Sequence, residues 1–235
     1  MANDNSKYFA EIIGTFLLVF IGSLAVIVYG SSVAQFGPAS LLAIALALGL
    51  TLAIIVYSLG YISGAHVNPA VTIGFFALGK MRLPEVVKYV SSQLFGAAIA
   101  GLAIGFLFSS AAASGGYGAP LPGASTDSAH AVVIELILTA ILMFVVLCTA
   151  ADRRATPGWQ GFAIGMTLAV AIIVGGVFSG GSLNPARNFG PAIAAVAFGA
   201  ASSPALADYW IYVVGPVLGG ILGALLYRHT VSARG

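Results

Sequence analysis

The sequence predicts an all-α membrane protein: six transmembrane helices plus two re-entrant half-helices, in an inverted 3+3 repeat. Three observations lead there. The 235 residues are 60% hydrophobic and only 7% charged, against about 25% charged in a soluble domain, and the mean hydropathy is +1.04. Six apolar stretches reach the ~20 residues that cross a bilayer as a helix. Two further apolar segments, each opening with Asn-Pro-Ala, are about half that length. Nine basic and seven acidic side chains are too few to solvate a globule of this size or to supply the clustered cations of a nucleic-acid module. A single cysteine, Cys148, excludes an internal disulfide and a cysteine-based metal cluster. No cofactor, metal site or nucleic-acid partner is expected. The chain reads as one domain over 1–235, with halves at about 1–110 and 125–235.

The first span is Phe9–Tyr29. Its apolar core is too long for a cleaved signal peptide and its leader holds only Lys7, so it is read as a membrane helix. Phe36-Gly37-Pro38 marks a turn, and the second span follows at Leu41–Gly60. The first half-helix comes next. Asn68 is a favourable N-cap and Pro69 suits the first helical position, with Ala70 following. Asn68 to Leu78 makes roughly 16 Å of helix at ~1.5 Å per residue, half of a ~30 Å hydrocarbon core. The third span is Val86–Phe108, and a Gly/Ala/Ser/Pro-rich connection runs from Ala111 to Ser128. The fourth span, Ala131–Ala151, carries Cys148, which reads as a small packing residue. Thr156-Pro157-Gly158 turns into the fifth span, Trp159–Phe178. The second half-helix opens at Asn184-Pro185-Ala186 and runs to Ile193, before the sixth span, Tyr209–Tyr227. Disorder is expected only for a few residues at each end. Irregular backbone leading into a half-helix is tolerated at membrane depth only where it lines a cavity or is buried in protein.

The halves repeat. Glu11, Thr15 and Phe20 match Glu135, Thr139 and Phe144 at a constant offset of 124, and Gly49-Leu50-Thr51-Leu52-Ala53 matches Gly165-Met166-Thr167-Leu168-Ala169 at 116, the offset that also relates Asn68 to Asn184. Three spans per half is an odd number, so the second half enters the membrane inverted. Such repeats, with broken helices meeting near the midplane, mark a transport protein whose solute path follows the pseudo-two-fold axis. With both termini cytoplasmic, that side collects Lys7, Lys80, Arg82, Lys88, Arg153, Arg154, Arg228 and Arg234, as basic residues in short loops dictate. Arg187 alone falls on the outer side and needs another explanation.

Two Asn-Pro-Ala boxes in inverted repeats, the first within Ser63-Gly64-Ala65-His66-Val67-Asn68-Pro69-Ala70-Val71-Thr72 and the second continuing as Asn184-Pro185-Ala186-Arg187-Asn188-Phe189-Gly190-Pro191, resemble the aquaporin (major intrinsic protein) family. The resemblance covers essentially the whole chain, including Ala10-Glu11-Ile12-Ile13-Gly14-Thr15-Phe16 and Gly215-Pro216. It implies an hourglass pore in each subunit of a homotetramer in the cell membrane. Asn68 and Asn184 would donate hydrogen bonds to a single file of solute. The converging half-helix N-termini, each carrying about half a positive charge, would repel cations and excess protons.

In this family a four-residue filter lies on the extracellular side of the boxes. Carried over by position it is Leu48, Ile172, Gly181 and Arg187, the last offering fixed guanidinium donors to a passing oxygen. The narrow water-only pattern pairs a phenylalanine at position 48 with a histidine at position 172; both are absent here. Ile172-Ile173-Val174-Gly175-Gly176-Val177-Phe178-Ser179-Gly180 resembles the plant vacuolar-membrane branch, whose filters are wider, although that branch has histidine where Leu48 stands. The glycerol-facilitator branch has tryptophan there and aspartate after the arginine, where this chain has Asn188. Ala192 and Tyr212 look like the water branch, while Val213 replaces its tryptophan.

Passage of water with other small neutral solutes is therefore expected. The alternative is a channel chiefly for glycerol, urea or ammonia, and a more distant one is an ion-coupled transporter. Glu11 and Glu135 lie inside apolar spans, where each needs a partner. Their symmetric placement points to support of re-entrant backbone N–H groups rather than to a proton relay. His66 reads as a pore-lining or loop-bracing residue. Catalysis is not expected: three histidines and seven acids include no nucleophile–base pair.

Overall fold

The computed structural model describes residues 5–30, 38–114, 116–199 and 203–231. The Phe36-Gly37 turn and Arg234 lie outside the described residues. Among the described residues six helices are long and apolar enough to cross a membrane: α1 (Ser6–Gly30), α2 (Pro38–Ser63), α4 (Leu83–Ser114), α5 (Ser128–Val146, continued by a π-helical turn at Leu147–Ala151), α6 (Gln160–Ser179) and α9 (Ile211–Thr230). Two short helices, α3 (Pro69–Ala77) and α7 (Pro185–Ala197), start at the Asn-Pro-Ala boxes. A single turn, α8 (Pro204–Ala207), has no counterpart in the sequence reading; Ser203 caps it by accepting the Ala205 N–H.

The spans differ from expectation mainly at their ends. The connection expected from Ala111 begins as helix: α4 bends at Phe108 (φ −131°, ψ 28°) and continues to Ser114. Its alanine-rich composition, read as a loop, is a strong helix former. The rest of that connection is no surface loop, because Gly116, Tyr117, Gly118, Ala119 and Pro120 are buried. Helix α7 runs four residues past the expected Ile193, to Ala197.

Packing follows the inverted repeat. Helix α1 lies on α4 as α5 lies on α9, and α2 crosses α6 between the two halves. At that crossing a methyl group on Gly49 would stand 2.6 Å from the Gly165 carbonyl, and one on Gly165 would fall on the Gly49 carbonyl. The repeated Gly-x-Thr-Leu-Ala segments thus meet backbone to backbone, as small residues permit. Each half-helix packs chiefly against the last span of the other half, α3 on α9 and α7 on α4, so the halves interlock. Phe9, Ile54, Phe106, Val133 and Leu218 are exposed on the outside of the bundle, an apolar surface that belongs against lipid.

Candidate pore

The two boxes meet in the middle of the bundle. Asn68 Oδ1 accepts the Ala70 N–H at 2.9 Å, and Asn184 Oδ1 accepts the Ala186 N–H at 2.9 Å, so each side chain caps its own half-helix. The amide nitrogens cross over: Asn68 Nδ2 donates to the Leu183 carbonyl at 2.8 Å, and Asn184 Nδ2 donates to the Val67 carbonyl at 2.9 Å. Each amide nitrogen has two N–H donors. One N–H of each therefore clasps the opposite loop, and among the described residues the other has no acceptor.

Val67 and Leu183 hold left-handed backbone, φ 42° and 55°, unfavourable for a side-chain-bearing residue by roughly 1–2 kcal/mol. What holds them there is visible on both sides of the peptide. Their carbonyls accept the asparagine amides, and their N–H groups donate to carboxylates, Val67 to Glu11 Oε2 at 2.7 Å and Leu183 to Glu135 Oε2 at 2.7 Å. The other oxygens take the preceding turn. Glu11 Oε1 accepts from Ser63 Oγ and the His66 N–H at 2.7 and 2.9 Å, and Glu135 Oε1 accepts from Ser179 Oγ and the Ser182 N–H at 2.8 and 2.9 Å. Both glutamates are fully buried. Upstream, Gly64 and Gly180, at φ 85° and 84°, end α2 and α6 in the left-handed conformation that glycine adopts without strain.

Tyr89 and Gln93 carry no sequence signal strong enough to single them out, and nothing in the sequence joins Tyr212 to this network. Tyr89 and Tyr212 donate to the Ser63 and Ser179 carbonyls, each at 2.8 Å, closing the C-terminal ends of α2 and α6. Gln93 Nε2 donates to Glu11 Oε2 at 2.7 Å and to Thr72 Oγ1 at 3.0 Å. The repeat has no copy of Gln93; Pro216 stands in the corresponding part of α9. His66 Nδ1 lies 3.1 Å from Thr72 Oγ1, and its ring stacks on Phe75. At the symmetric place Ser182 Oγ donates to the Asn184 carbonyl and contacts Asn188 Oδ1.

A cavity of about 710 Å³ runs from Arg187 and Leu48 past both asparagines and His66 to the 152–158 loop on the face that carries the basic residues. Of the four filter positions, Leu48 and Arg187 line the cavity, whereas Ile172 and Gly181 do not. Ile172 and Gly181 lie against one another, a methyl on Gly181 standing 3.1 Å from Ile172 Cα. All four are buried. The offset of 116 relates these positions to Ile164, Val56, Ala65 and Val71, and all four of those line the cavity. At the repeat-related positions the path thus carries arginine in one half and valine in the other.

The Arg187 guanidinium is buried with no carboxylate partner among the described residues. Nη2 donates to the Gly118 carbonyl at 2.7 Å, Nη1 donates to Ser23 Oγ at 3.3 Å, and Nε has no partner. The 116–120 segment is held over α7 by the first of these bonds and by Asn188 Nδ2 donating to the Pro120 carbonyl at 3.1 Å. At the far end Tyr57 bridges the cavity rim, its hydroxyl donating to the Gly158 carbonyl at 3.1 Å and accepting the Phe162 N–H at 3.0 Å. Asp152 ties the same loop to Arg154 and to the Tyr227 hydroxyl. Cys148 does not line the cavity. Among the described residues no cluster of metal-ligating side chains is found.

The profile named Major intrinsic protein matches residues 2–227. Aquaporin AqpM of Methanothermobacter marburgensis is 38% identical over 252 residues, covering 99% of this chain and 100% of that protein. Aquaporin TIP4-4 of Zea mays is 38% identical over 229 residues, covering 96% of this chain and 86% of its own. The X-ray structure of the aquaglyceroporin from Plasmodium falciparum superposes with a TM-score of 0.78 at 23% identity over 97% of each chain, a likeness of fold.

Proposed function

The chain belongs to the major intrinsic protein family, a multi-pass membrane channel for water and small solutes and not an enzyme, and from that premise we propose that water is its principal permeant, accompanied by other small neutral solutes, with ions and protons excluded. The observation that carries this reading is the reciprocal clasp of Asn68 and Asn184. It leaves one amide N–H on each of two cavity-lining asparagines without an acceptor among the described residues, two fixed donors for a passing oxygen. Pro69, Ala70, Pro185 and Ala186 shape the helix starts whose dipoles converge on the same point, each equivalent to about half a positive charge. A neutral dipole reorients there, while a cation meets repulsion from both half-helices and from the uncompensated Arg187 guanidinium.

In this reading Leu48 and Arg187, which line the cavity, form the narrow end together with Ile172 and Gly181, which lie against one another off the cavity wall. Leu48 and Ile172 cannot donate hydrogen bonds, and Gly181 adds no bulk, so the opening is wider and more apolar than a strict water pore, and solutes larger than water have measurable permeability, limited by size and by loss of hydration. That favours glycerol, urea or ammonia as additional permeants. Glu11, Glu135 and His66 serve as loop supports. Each glutamate accepts two backbone N–H groups of its re-entrant loop and neighbouring side-chain donors, the arrangement of a loop support rather than of the ion-binding site an ion-coupled transporter needs. We read 1–235 as a single channel domain, a homotetramer in the cell membrane with both termini cytoplasmic. Lys7 pairing with Glu85 at 2.6 Å and Arg154 donating to the Val231 carbonyl gather charges from distant segments at one face.

The test is Leu48→Phe combined with Ile172→His, in proteoliposomes followed by stopped-flow light scattering. Glycerol and urea flux should fall much more than water flux, since the aperture narrows and gains a donor. A common reduction factor for all solutes overturns the filter assignment.

A further inference from the structure

We propose that Gly22 of α1 is a positioning residue that sets the width of the constriction, seating Leu48 and Arg187 without lining the path itself; this rests on the reading of Leu48 and Arg187 as the narrow end. Gly22 is buried, and a methyl group there would stand 2.6 Å from Leu48 Cδ2 and 3.0 Å from Arg187 Nε. The nearest atoms it would meet are therefore side-chain atoms of two filter residues. By contrast, a methyl on Gly96 would meet the Ile12 backbone, so substitution there disturbs helix packing rather than the path.

The side chains that a methyl at Gly22 would push are not equally free to move. Arg187 is tied on α1 itself, Nη1 donating to Ser23 Oγ, and by Nη2 to the Gly118 carbonyl. Leu48 has no such tether, and both residues line the cavity. Bulk added at position 22 is thus relieved by driving the Leu48 tip into the lumen.

The repeat supplies an independent comparison. The offset of 124 between the first and fourth spans relates Gly22 to Val146, and the offset of 116 relates Arg187 to Val71 and Leu48 to Ile164. Val146, Val71 and Ile164 all line the cavity. Where no guanidinium has to be seated, the helix carries a valine; where one does, it carries a glycine. The absent side chain at position 22 goes with the arginine it makes room for.

The experiment compares Gly22→Ala, Leu48→Ala and the double variant with the unaltered protein in proteoliposomes, measuring water, urea and glycerol permeability per inserted subunit. Gly22→Ala should lower urea and glycerol flux about tenfold relative to water, the low end of what one methylene discriminates at a fitted site, and Leu48→Ala in the same chain should restore the ratio. A selectivity ratio is the readout because a merely structural defect lowers all fluxes together. An unchanged ratio in Gly22→Ala, or one common factor for all three solutes, overturns the proposal, provided that Leu48→Ala raises urea and glycerol relative to water. If Leu48→Ala also leaves the ratio unchanged, the constriction reading falls as well. Should Gly22→Ala fail to insert, the double variant decides: because it removes the obstructing side chain it should insert and conduct, and its failure overturns the proposal.

Discussion

Glu135→Gln separates a structural carboxylate from a proton relay. Glu135 accepts the Ser179 hydroxyl and the Ser182 N–H on one oxygen and the Leu183 N–H on the other, at 2.7 to 2.9 Å. Glutamine keeps one acceptor oxygen and turns an NH₂ group toward a backbone N–H, whichever way it is placed. One loop N–H is therefore orphaned inside the bundle. A hydrogen bond to a charged group contributes about 1.5–3 kcal/mol. At roughly 2–4 °C per kcal/mol for a chain of this size, melting should fall by roughly 3–12 °C. The orphaned group is the N–H of Ser182 or of Leu183, the two residues that lead into the left-handed backbone whose carbonyl receives Asn68, so water permeability should fall with stability. The assay is thermal unfolding in detergent by circular dichroism, paired with stopped-flow permeability at a temperature where both proteins are folded. Transport lost at unchanged melting temperature, and dependent on a proton gradient in the unaltered protein, would refute the reasoning.

Asn68→Asp and Asn184→Asp each replace the donor that reaches the opposite loop, setting an oxygen against the Leu183 or Val67 carbonyl; each should cost about 1–3 kcal/mol and sharply lower water flux per inserted subunit, and undiminished flux in both removes the central-donor reading. Mercuric ion should inhibit weakly, because Cys148 is half-buried against helix neighbours and off the cavity wall; strong inhibition abolished by Cys148→Ser contradicts this placement. Hydrogen bonds from the Arg154 side chain hold the Asp152 carboxyl below the usual carboxylate range, so the bonding it supplies is complete above the unfolded value and lost only as pH falls through the depressed folded one. Hydrogen exchange of the 152–158 loop should accordingly show protection that does not titrate between about pH 5 and about pH 8, and Asp152→Asn should weaken it throughout; titrating protection, or an Asp152→Asn loop that exchanges like the unaltered one, contradicts the tie.

The spans were legible because a hydrocarbon core imposes both length and apolarity on any helix that crosses it. Span ends were less so. Pro38 opens α2 and Ser114 closes α4 because helix continues wherever backbone bonding and packing allow, beyond the point where hydropathy drops. The alanine-rich run after Phe108 reads equally as loop or helix until the bend at that residue is seen.

By itself the sequence determined the class of molecule, the inverted repeat and the residues at the meeting of the half-helices, since composition, offset and capping chemistry are local or periodic properties. Only the tertiary structure decided which groups face one another across the repeat. The exchange of Asn68 with Leu183 and of Asn184 with Val67 joins residues more than a hundred positions apart, and no periodicity encodes it. The same holds for Gly22 beside Leu48 and Arg187, and for the Gly118 and Ser23 oxygens that receive the guanidinium. A buried arginine signals itself by its charge, but its acceptors are a backbone carbonyl and a serine. Those groups are common along the chain and become specific only when folding brings them within hydrogen-bond reach.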